Sequence, residues 1–308
     1  MNSIDILSIG EPMVEFNQTR PGEPSYLQGF GGDSSNMAIA AARAGARVAY
    51  YTRLGDDEFG RMFLDLWQRE GVDSSGVGTD PQAHTGVYFV THGASGHVFS
   101  YLRAGSAASR MTPADLPRPL LERARYVHAS GISLAISASA CDTVLAAFEA
   151  ARAAGAKVSF DSNLRLKLWP LARARAVIGA AAAGADYFFP SVEDARALAG
   201  IESEDALLDW AHGLGAKHVF LKLGPDGVIA SDGTRRERLA GHRVNAVDAT
   251  GAGDCFAGSA LARLAAGDSI WDAARYANAA AALATTGFGA VAPLPRPDAV
   301  RALLGRTA

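Results

Sequence analysis

The 308-residue sequence has few cysteines, no long apolar run and almost no excess of either charge. Its two cysteines, Cys141 and Cys255, are too few for a disulfide framework or a cysteine metal site. No apolar run approaches the roughly 18 residues that a membrane-spanning helix needs, and the N-terminus has no basic, apolar targeting pattern. The formal net charge of −3 gives no electrostatic reason to expect nucleic acid or an acidic membrane as a partner. We therefore expect a cytoplasmic protein in which any anionic ligand meets local cations.

Short β-branched and aromatic runs alternate with alanine-rich helical stretches along the chain. The runs include IDILSIG, RVAYYT, KVSFD, DYFFP and KHVFLK. This alternation predicts an α/β fold in which helices cover both faces of a mainly parallel central sheet. Because no repeat or long linker interrupts the pattern, residues 1–308 are predicted to form a single domain.

Two segments, at about 12–28 and 85–103, depart from the alternation because both resemble antiparallel strands with no helix between them. They predict a small separate sheet. The second segment has the pattern of a hairpin around a Gly-Ala-Ser-Gly loop, in which Tyr88 faces Tyr101 and Arg103 points the same way as Tyr101. That face would carry two phenols and a guanidinium. Ordinary strand packing for the tyrosines and a solvated cation for Arg103 are the plainer alternatives.

A glycine-rich turn at residues 248–258, DATGAGDCFAG, leads into a helical stretch. It lacks the lysine of a P-loop and the third glycine of a dinucleotide-binding fingerprint, which disfavours a nicotinamide dehydrogenase. Backbone N–H groups of Gly251, Ala252 and Gly253 at a helix start can hold developing negative charge. Asp254 then fits a general base that accepts the proton of a hydroxyl during phosphoryl transfer. A simple aspartate N-cap on a glycine turn is the common alternative.

A second helix start follows Gly31-Gly32 and contains Asn36. Two flexible residues and an amide at this position fit either contacts with substrate hydroxyls or a tight turn with Asn36 in the first helical turn.

Both glycine-containing motifs resemble the signature regions of the ribokinase-like (PfkB) carbohydrate kinases. The matching residues are Gly31, Gly32, Asn36, Ala38, Gly45 and Gly55 in the first region, and Asp248, Gly251, Ala252, Gly253 and Asp254 in the second. The resemblance implies a three-layer α/β/α fold with a small β-sheet lid, and ATP-dependent phosphorylation of a sugar hydroxyl. Asp254 would be the catalytic base, and Gly251, Ala252 and Gly253 the anion hole.

The resemblance also implies a nucleotide site with Mg²⁺ on the ATP phosphates, and it leaves a monovalent cation such as K⁺ open. The cofactor-binding residues that it implies are Asn163, Ser191, Lys222, Gly224, Gly227, Gly251, Gly253 and Asn278. The Asn-x-x-Glu motif that organises the metal in the family is Ser191-Val192-Glu193-Asp194 here. Asp194 would replace the glutamate with a shorter arm, which makes its metal role indirect.

Arg103 and Arg165 indicate which sugar the site would take, because a neutral sugar does not need two guanidinium groups, whereas a carboxylated sugar does. The stretches GEPMVEF, GGDSSN, YLRAGSAASR and FDSNLRLKLW look like those of 2-keto-3-deoxygluconate kinases. We therefore expect phosphorylation of the 6-hydroxyl of 2-keto-3-deoxygluconate. The implied substrate contacts are Gly32, Asp33, Asn36, Tyr88, Tyr101, Arg103, Arg165 and Asp254.

Two other functions stay open from the sequence. One is a kinase of a neutral sugar or nucleoside, similar to a fructokinase, ribokinase or adenosine kinase, and the other is a sugar-binding relative that has lost catalysis. Cys255 fits either a reactive thiol at a helix N-terminus or a small buried residue. Asp248 fits a turn or a cation site. Exposed edges of the lid strands lead us to expect a homodimer or a larger homo-oligomer.

Overall fold

Three β-sheets of unequal size organise the chain, of which the computed structural model describes residues 4–93 and 96–306. The strands in these residues are β1 (Ile4–Ile9), β2 (Met13–Gln18), β3 (Tyr26–Gly31), β4 (Val48–Tyr51), β5 (Arg53–Gly55), β6 (Gly78–Asp80), β7 (Gly86–Gly93), β8 (Gly96–Leu102), β9 (Ala124–Ser130), β10 (Lys157–Asp161), β11 (Tyr187–Phe189), β12 (His218–Lys222), β13 (Val228–Ser231) and β14 (Arg236–Leu239).

In the described chain, α-helices lie in six of the thirteen connections between consecutive strands, and three more follow β14. The α-helices are α1 (Asp33–Arg43), α2 (Glu58–Glu70), α3 (Arg118–Leu121), α4 (Gly131–Ala135), α5 (Ala138–Ala153), α6 (Leu171–Ala183), α7 (Val192–Ala199), α8 (Glu204–Leu214), α9 (Ala252–Ala266), α10 (Ile270–Ala284) and α11 (Pro297–Arg306). Short 3₁₀ turns lie at Ala108–Arg110, Pro113–Asp115 and Gly224–Asp226.

The large sheet has eight strands in the order β14-β13-β12-β11-β10-β9-β1-β4. The strands from β12 to β4 pair in parallel, whereas β13 and β14 extend the sheet as an antiparallel hairpin. A mainly parallel sheet, as the sequence predicts, is therefore confirmed.

Helices cover both faces of the large sheet and bury one hydrophobic core on each side. Side chains alternate between the two cores along a strand: Leu7 of β1 packs in the core beneath α5 and α6, and Ile6 packs in the core beneath α1, α9 and α10. Strands covered on both faces need apolar residues at nearly every position, which explains their continuous apolar runs. The three-layer α/β/α prediction is confirmed.

The small sheet has four strands in the order β3-β2-β7-β8. In the β7–β8 hairpin Tyr88 pairs with Tyr101, the register predicted from the loop composition. The first predicted segment extends further than expected, because β3 continues to Gly31 before Gly32 begins the turn into α1. Ser130 and Asp161 end the neighbouring parallel strands β9 and β10, and the Ser130 hydroxyl donates to Asp33, at the start of the helix that follows the small-sheet strand β3.

No helix in the described residues has both the length and the apolar character needed to cross a membrane.

Candidate active site

One continuous cleft of about 1780 Å³ runs along the carboxyl ends of the parallel strands, between the small sheet and the start of α9. This is the edge at which parallel α/β sheets bind ligands. The structure places every predicted site residue on the wall of this cleft. They are Gly32, Asp33, Asn36, Tyr88, Tyr101, Arg103, Asn163, Arg165, Ser191, Asp194, Lys222, Gly224, Gly227, Asn278, Gly251, Ala252, Gly253 and Asp254.

Asp254 lies in the first turn of α9, where it faces the first turn of α1. The side-chain amide of Asn36 donates a hydrogen bond to Asp254 Oδ2 at 2.9 Å. Burial raises the pKa of Asp254 to about 7, the negative charge of Asp33 adds to this rise, and the Asn36 hydrogen bond opposes it. A carboxylate with a pKa near neutrality is suited to accept a proton at physiological pH.

The backbone around Gly251 is shaped to leave N–H groups available. Gly251 has a left-handed conformation with φ 78°, and a Cβ at this position would lie 3.0 Å from the carbonyl oxygen of Ala290. The N–H of Ala252 donates to Ala249. Within the chain that the structure describes, the N–H groups of Gly251, Gly253 and Asp254 donate to no acceptor. They form a group of backbone donors next to the candidate base.

Asp248 holds the turn that precedes these donors. Its Oδ1 accepts hydrogen bonds from the N–H and the hydroxyl of Thr250, at 2.9 Å and 2.7 Å. Its Oδ2 accepts from the N–H of Gly289 at 2.9 Å. Of the two roles that the sequence left open for Asp248, these contacts support the turn.

A buried ion pair lies beside the same turn. Lys222 Nζ is 2.5 Å from Asp161 Oδ2, and the two side chains are 15% and 5% exposed. A Cβ on Gly253 would lie 3.3 Å from Lys222 Nζ, so the ammonium group adjoins the N–H donors. Burial raises the pKa of Asp161, and the charge of Lys222 opposes this rise.

Asp33 and Asn36 supply buried acceptors at the other side of Asp254. Asp33 Oδ2 accepts hydrogen bonds from the hydroxyl of Ser130 and from the amide of Asn163, the latter at 3.0 Å. Asp33 Oδ1 and Asn36 Oδ1 are buried and have no hydrogen-bond partner in the described residues. Because a buried acceptor without a partner is costly, these two oxygens fit a ligand that brings hydroxyl groups.

Tyr88 and Arg103 each contact a glutamate: Tyr88 contacts Glu15 of β2, and Arg103 contacts Glu11, which precedes β2. The Tyr88 hydroxyl donates to the carboxylate of Glu15, and both side chains are buried. Arg103 forms an ion pair with Glu11, with exposed fractions of 10% and 0%. The alternative of a solvated cation for Arg103 is therefore wrong. Burial raises the pKa of Glu11, and the charge of Arg103 opposes this rise.

Tyr101 and Arg165 are the exposed members of the predicted sugar side. Tyr101 is 40% exposed, and the Arg103 guanidinium lies 5.8 Å from its ring centre. The Arg165 guanidinium donates to the Leu164 carbonyl at 2.8 Å. It forms no ion pair with any carboxylate in the part of the chain that the structure covers. Arg165 therefore contributes an uncompensated positive charge to the cleft wall.

Three residues predicted to bind the nucleotide, Gly224, Gly227 and Asn278, determine the backbone conformation of two cleft-lining segments. Gly224 and Gly227 form the turn between β12 and β13, with φ values of 59° and 101°. The Asn278 amide donates to the carbonyl of Ala240 at 2.8 Å. Asn278 thus fixes the 240–244 segment, which itself lines the cleft.

Ser191 and Asp194 form local contacts with the protein. Ser191 caps α7 by accepting the N–H of Asp194 at 3.0 Å. Asp194 Oδ2 accepts from the Ser162 hydroxyl at 2.8 Å and from the Leu164 N–H at 3.0 Å. Asp194 therefore fixes the segment that carries Arg165, and its indirect metal role stays a prediction.

A model of the pfkB family carbohydrate kinases matches residues 3–297. The chain belongs to the pfkB family of carbohydrate kinases. This pfkB kinase is 36% identical to a 2-dehydro-3-deoxygluconokinase from Thermoproteus tenax, over 98% of this chain and 94% of that protein. It is 34% identical to fructokinase-2 from Solanum habrochaites, over 97% and 95% of the two chains.

Solved structures agree with this assignment. A fructokinase from Xylella fastidiosa with bound ATP superposes with a TM-score of 0.91 at 27% identity, covering 98% of each chain. A double-mutant fructokinase from Vibrio cholerae O395 with fructose, ADP and a potassium ion bound gives a TM-score of 0.90 at 30% identity, covering 99% of each chain. The family therefore establishes a kinase that uses a carbohydrate and ATP, and both kinds of sugar kinase are similarly close to it.

Two features of this pfkB kinase were left open or missed from the sequence alone. Cys255 is fully buried, and burial raises the pKa of its thiol to about 12, so the reactive-thiol alternative is wrong. Glu11 and Glu15 were not identified as parts of the site. Their signal was a pair of charges inside the otherwise apolar stretch GEPMVEF, a pattern that requires buried partners.

Proposed function

We propose that this pfkB kinase transfers the γ-phosphoryl group of ATP to the 6-hydroxyl of 2-keto-3-deoxygluconate. The observation that carries the substrate is Arg165, a guanidinium on the cleft wall that has no carboxylate partner in the described residues and that the family resemblance assigns to the sugar. A sugar carboxylate would pair with it. The similarity to a 2-dehydro-3-deoxygluconokinase at 36% identity supports the same substrate.

In the proposed reaction Asp254 accepts the proton of the sugar hydroxyl as that oxygen attacks phosphorus. Its pKa of about 7 keeps a large fraction ionised at neutral pH. The N–H groups of Gly251, Gly253 and Asp254, with Lys222 beside them, stabilise the charge on the phosphoryl group in transit. Asp33 Oδ1 and Asn36 Oδ1 accept hydrogen bonds from the remaining sugar hydroxyls.

Divalent metal binding in this site depends mainly on the nucleotide. In residues 4–93 and 96–306, no cluster of three or more acidic, histidine or cysteine side chains is arranged to hold a metal ion. Mg²⁺ requires few protein ligands when phosphates and waters complete its shell, and it neutralises phosphate charge when bound. Asp194 lines the cleft and would contact it through water. A requirement for K⁺ stays a prediction, which the potassium-bound fructokinase supports.

The small sheet is proposed to be a lid over the sugar. Met13, Tyr88 and Tyr101 of this sheet line the cleft from the side opposite α9. Their approach on sugar binding would exclude water, so that the phosphoryl group passes to the sugar instead of being hydrolysed.

A neutral ketose such as fructose is the second candidate substrate. It is favoured by the ion pair between Glu11 and Arg103, which leaves one uncompensated guanidinium instead of two. Fructokinases are also about as similar to this chain as 2-dehydro-3-deoxygluconokinases.

A substrate panel tests the proposal. ATP consumption would be measured with 2-keto-3-deoxygluconate, gluconate, fructose, ribose and adenosine, and the position of the phosphate in the product determined by NMR. We expect the highest kcat/KM with 2-keto-3-deoxygluconate and phosphate on the 6-oxygen. A higher kcat/KM with fructose would establish the second candidate, and turnover with none of the sugars would favour a binding protein.

A further inference from the structure

Glu11 lies where the four chain segments that connect the small sheet to the rest of the described fold come together. It follows β1 and begins the connection to β2. The connection from β3 to α1 passes close to the backbone of Glu11 at Gly32, where φ is 94°. A Cβ at Gly32 would collide with the Glu11 carbonyl. The chain that enters β7 passes the Glu11 carboxylate at Gly86, the first residue of β7. A Cβ at Gly86 would lie 3.1 Å from Glu11 Oε1. The connection that leaves β8 carries Arg103 and Ser106, whose side chains both bind this carboxylate.

The carboxylate fixes one end of the Arg103 guanidinium. Arg103 Nη2 donates to Glu11 Oε2, while Ser106 donates to Oε1, so both carboxylate oxygens are occupied by the segment that leaves the small sheet. Arg103 also lines the cleft, and its Nε is buried with no partner in the described residues. Its Nη1 is not buried and donates to no acceptor in the described residues, so the geometry presents a guanidinium with a fixed orientation and one donor that a ligand can reach.

The same contact cancels the charge of Arg103. The Glu11 carboxylate lies against the Arg103 guanidinium in a buried setting. A second carboxylate would be attracted by Arg103 and repelled by Glu11 at nearly the same distance, so most of the attraction is lost. Arg165 has no such partner among the described residues and is exposed on the cleft wall. The two arginines of the sugar side therefore differ in electrostatic character although they are the same residue type.

We propose that Glu11 is a positioning residue that makes Arg103 an oriented, charge-neutral hydrogen-bond donor for the sugar, and that it leaves selection of a sugar carboxylate to Arg165. This assignment rests on the proposed sugar-acid kinase function. It divides two tasks, orientation and charge selection, between two guanidinium groups.

The test measures substrate preference, defined as kcat/KM for 2-keto-3-deoxygluconate divided by kcat/KM for fructose, with competitive inhibition constants where fructose turnover is too slow. Glu11→Gln keeps the shape of the side chain but removes its charge. Because Arg103 then becomes an uncompensated cation, we expect preference for the acid sugar to rise by about tenfold. A residue that serves only the fold would lower both kcat/KM values together and leave the ratio unchanged. An unchanged or lower ratio would overturn the proposal.

Substitutions of the two arginines separate their tasks. Arg165→Gln is expected to lower the preference by about tenfold or more, because the selecting charge is lost. Arg103→Gln leaves the Glu11 carboxylate as an uncompensated anion, so it is expected to lower both kcat/KM values and, by repelling the acid sugar, the ratio as well. The contribution of Arg103 to charge selection is therefore read from the Glu11→Gln, Arg103→Gln double variant, in which both charges are removed. If that double variant reduces the wild-type ratio as much as Arg165→Gln does, the division of tasks is wrong.

A double variant keeps the proposal testable if Glu11→Gln alone does not fold. Glu11→Gln with Arg103→Gln removes both charges of the buried pair, and replacing a whole pair is better tolerated than breaking it. Its preference ratio should stay within about threefold of the wild-type ratio, and a larger change would contradict the proposal. The wild-type ratio alone decides the proposed function, whereas the changes of ratio among the variants decide the role of Glu11.

Discussion

At the scale of single residues, Asp254 combines the clearest catalytic geometry with a cost to stability. Its carboxylate adjoins the backbone N–H donors at the start of α9 and accepts the Asn36 amide. Burial and the nearby charge of Asp33 make its ionised form unfavourable. In the proposed role as base, Asp254 would be reactive because the fold does not stabilise its charge fully.

Asp254→Asn is expected to lower kcat by about 10²- to 10⁴-fold, because proton acceptance from the sugar is lost. Sugar affinity measured by calorimetry should change little, since charge develops only in the transition state. Glu193→Gln, which removes an exposed carboxylate of the same cleft, is the matched control and should keep kcat within about twofold. A retained turnover number in Asp254→Asn would exclude Asp254 as the base.

The pKa of Asp254 predicts opposite effects of pH on activity and stability. Because the base must be ionised, kcat/KM for the sugar should rise as pH increases through about 7 and level off above it. A pKa raised by folding means that the contribution of Asp254 to the unfolding free energy is lost as pH rises from about 4 to about 7. The Tm of Asp254→Asn should therefore exceed that of the wild type at pH 8 and approach it at pH 5. A Tm difference that is independent of pH would contradict this account.

At the scale of elements, the contact between α1 and α9 sets the distance between Asn36 and Asp254. Gly258 of α9 faces the backbone of α1, where a Cβ would collide with the Met37 carbonyl and lie 3.0 Å from the Ala41 nitrogen. Only a glycine lets the two helices approach this closely. The position of the proposed base, Asp254, is thus fixed by a residue one helical turn further along α9.

Gly258→Ala is expected to push α1 and α9 apart, to lower the unfolding free energy by about 1–3 kcal/mol and to reduce kcat. Gly213→Ala in α8 is the matched control, because nothing lies within 4 Å of a Cβ at that position. It should leave kcat unchanged and leave stability unchanged or raise it by up to about 1 kcal/mol. Denaturant unfolding and steady-state kinetics of both variants test the contact. Equal effects of the two substitutions would show that the helix contact is not tight.

The elements were easier to predict from the sequence than the contacts between them. Periodicity and composition predicted the parallel strands. The Gly-Ala-Ser-Gly loop of the hairpin predicted the register that pairs Tyr88 with Tyr101. Pairs such as Glu11 with Arg103 join residues 92 positions apart, and no local pattern encodes which buried charge meets which. Arg165 was identified by residue type, but its lack of a carboxylate partner in the described chain is a three-dimensional fact.

At the scale of the whole molecule, the edge of the small sheet exposes apolar side chains. β8 is the last strand of that sheet, and Val98 and Leu102 on it are 52% and 60% exposed. An edge strand with exposed apolar side chains favours pairing with another chain.

We expect a homo-oligomer in solution, assembled through β8. Light scattering after size-exclusion chromatography would give its mass, and Val98→Lys with Leu102→Lys should shift that mass toward the monomer. Leu64→Lys, on a partly exposed leucine of α2, is the control and should not change the assembly. A wild-type monomer at micromolar concentration would contradict the expectation.

The burial of both cysteines has a practical consequence. Cys141 and Cys255 are the two thiols of the chain, and they are 7% and 0% exposed. Burial raises the pKa of each thiol, so the native protein should react slowly with maleimides. A cysteine placed at exposed Gln28 of β3, at the edge of the small sheet away from β8, would then take up a fluorophore selectively. The buried thiols thus make the native enzyme a low-background host for a reporter of small-sheet movement during turnover.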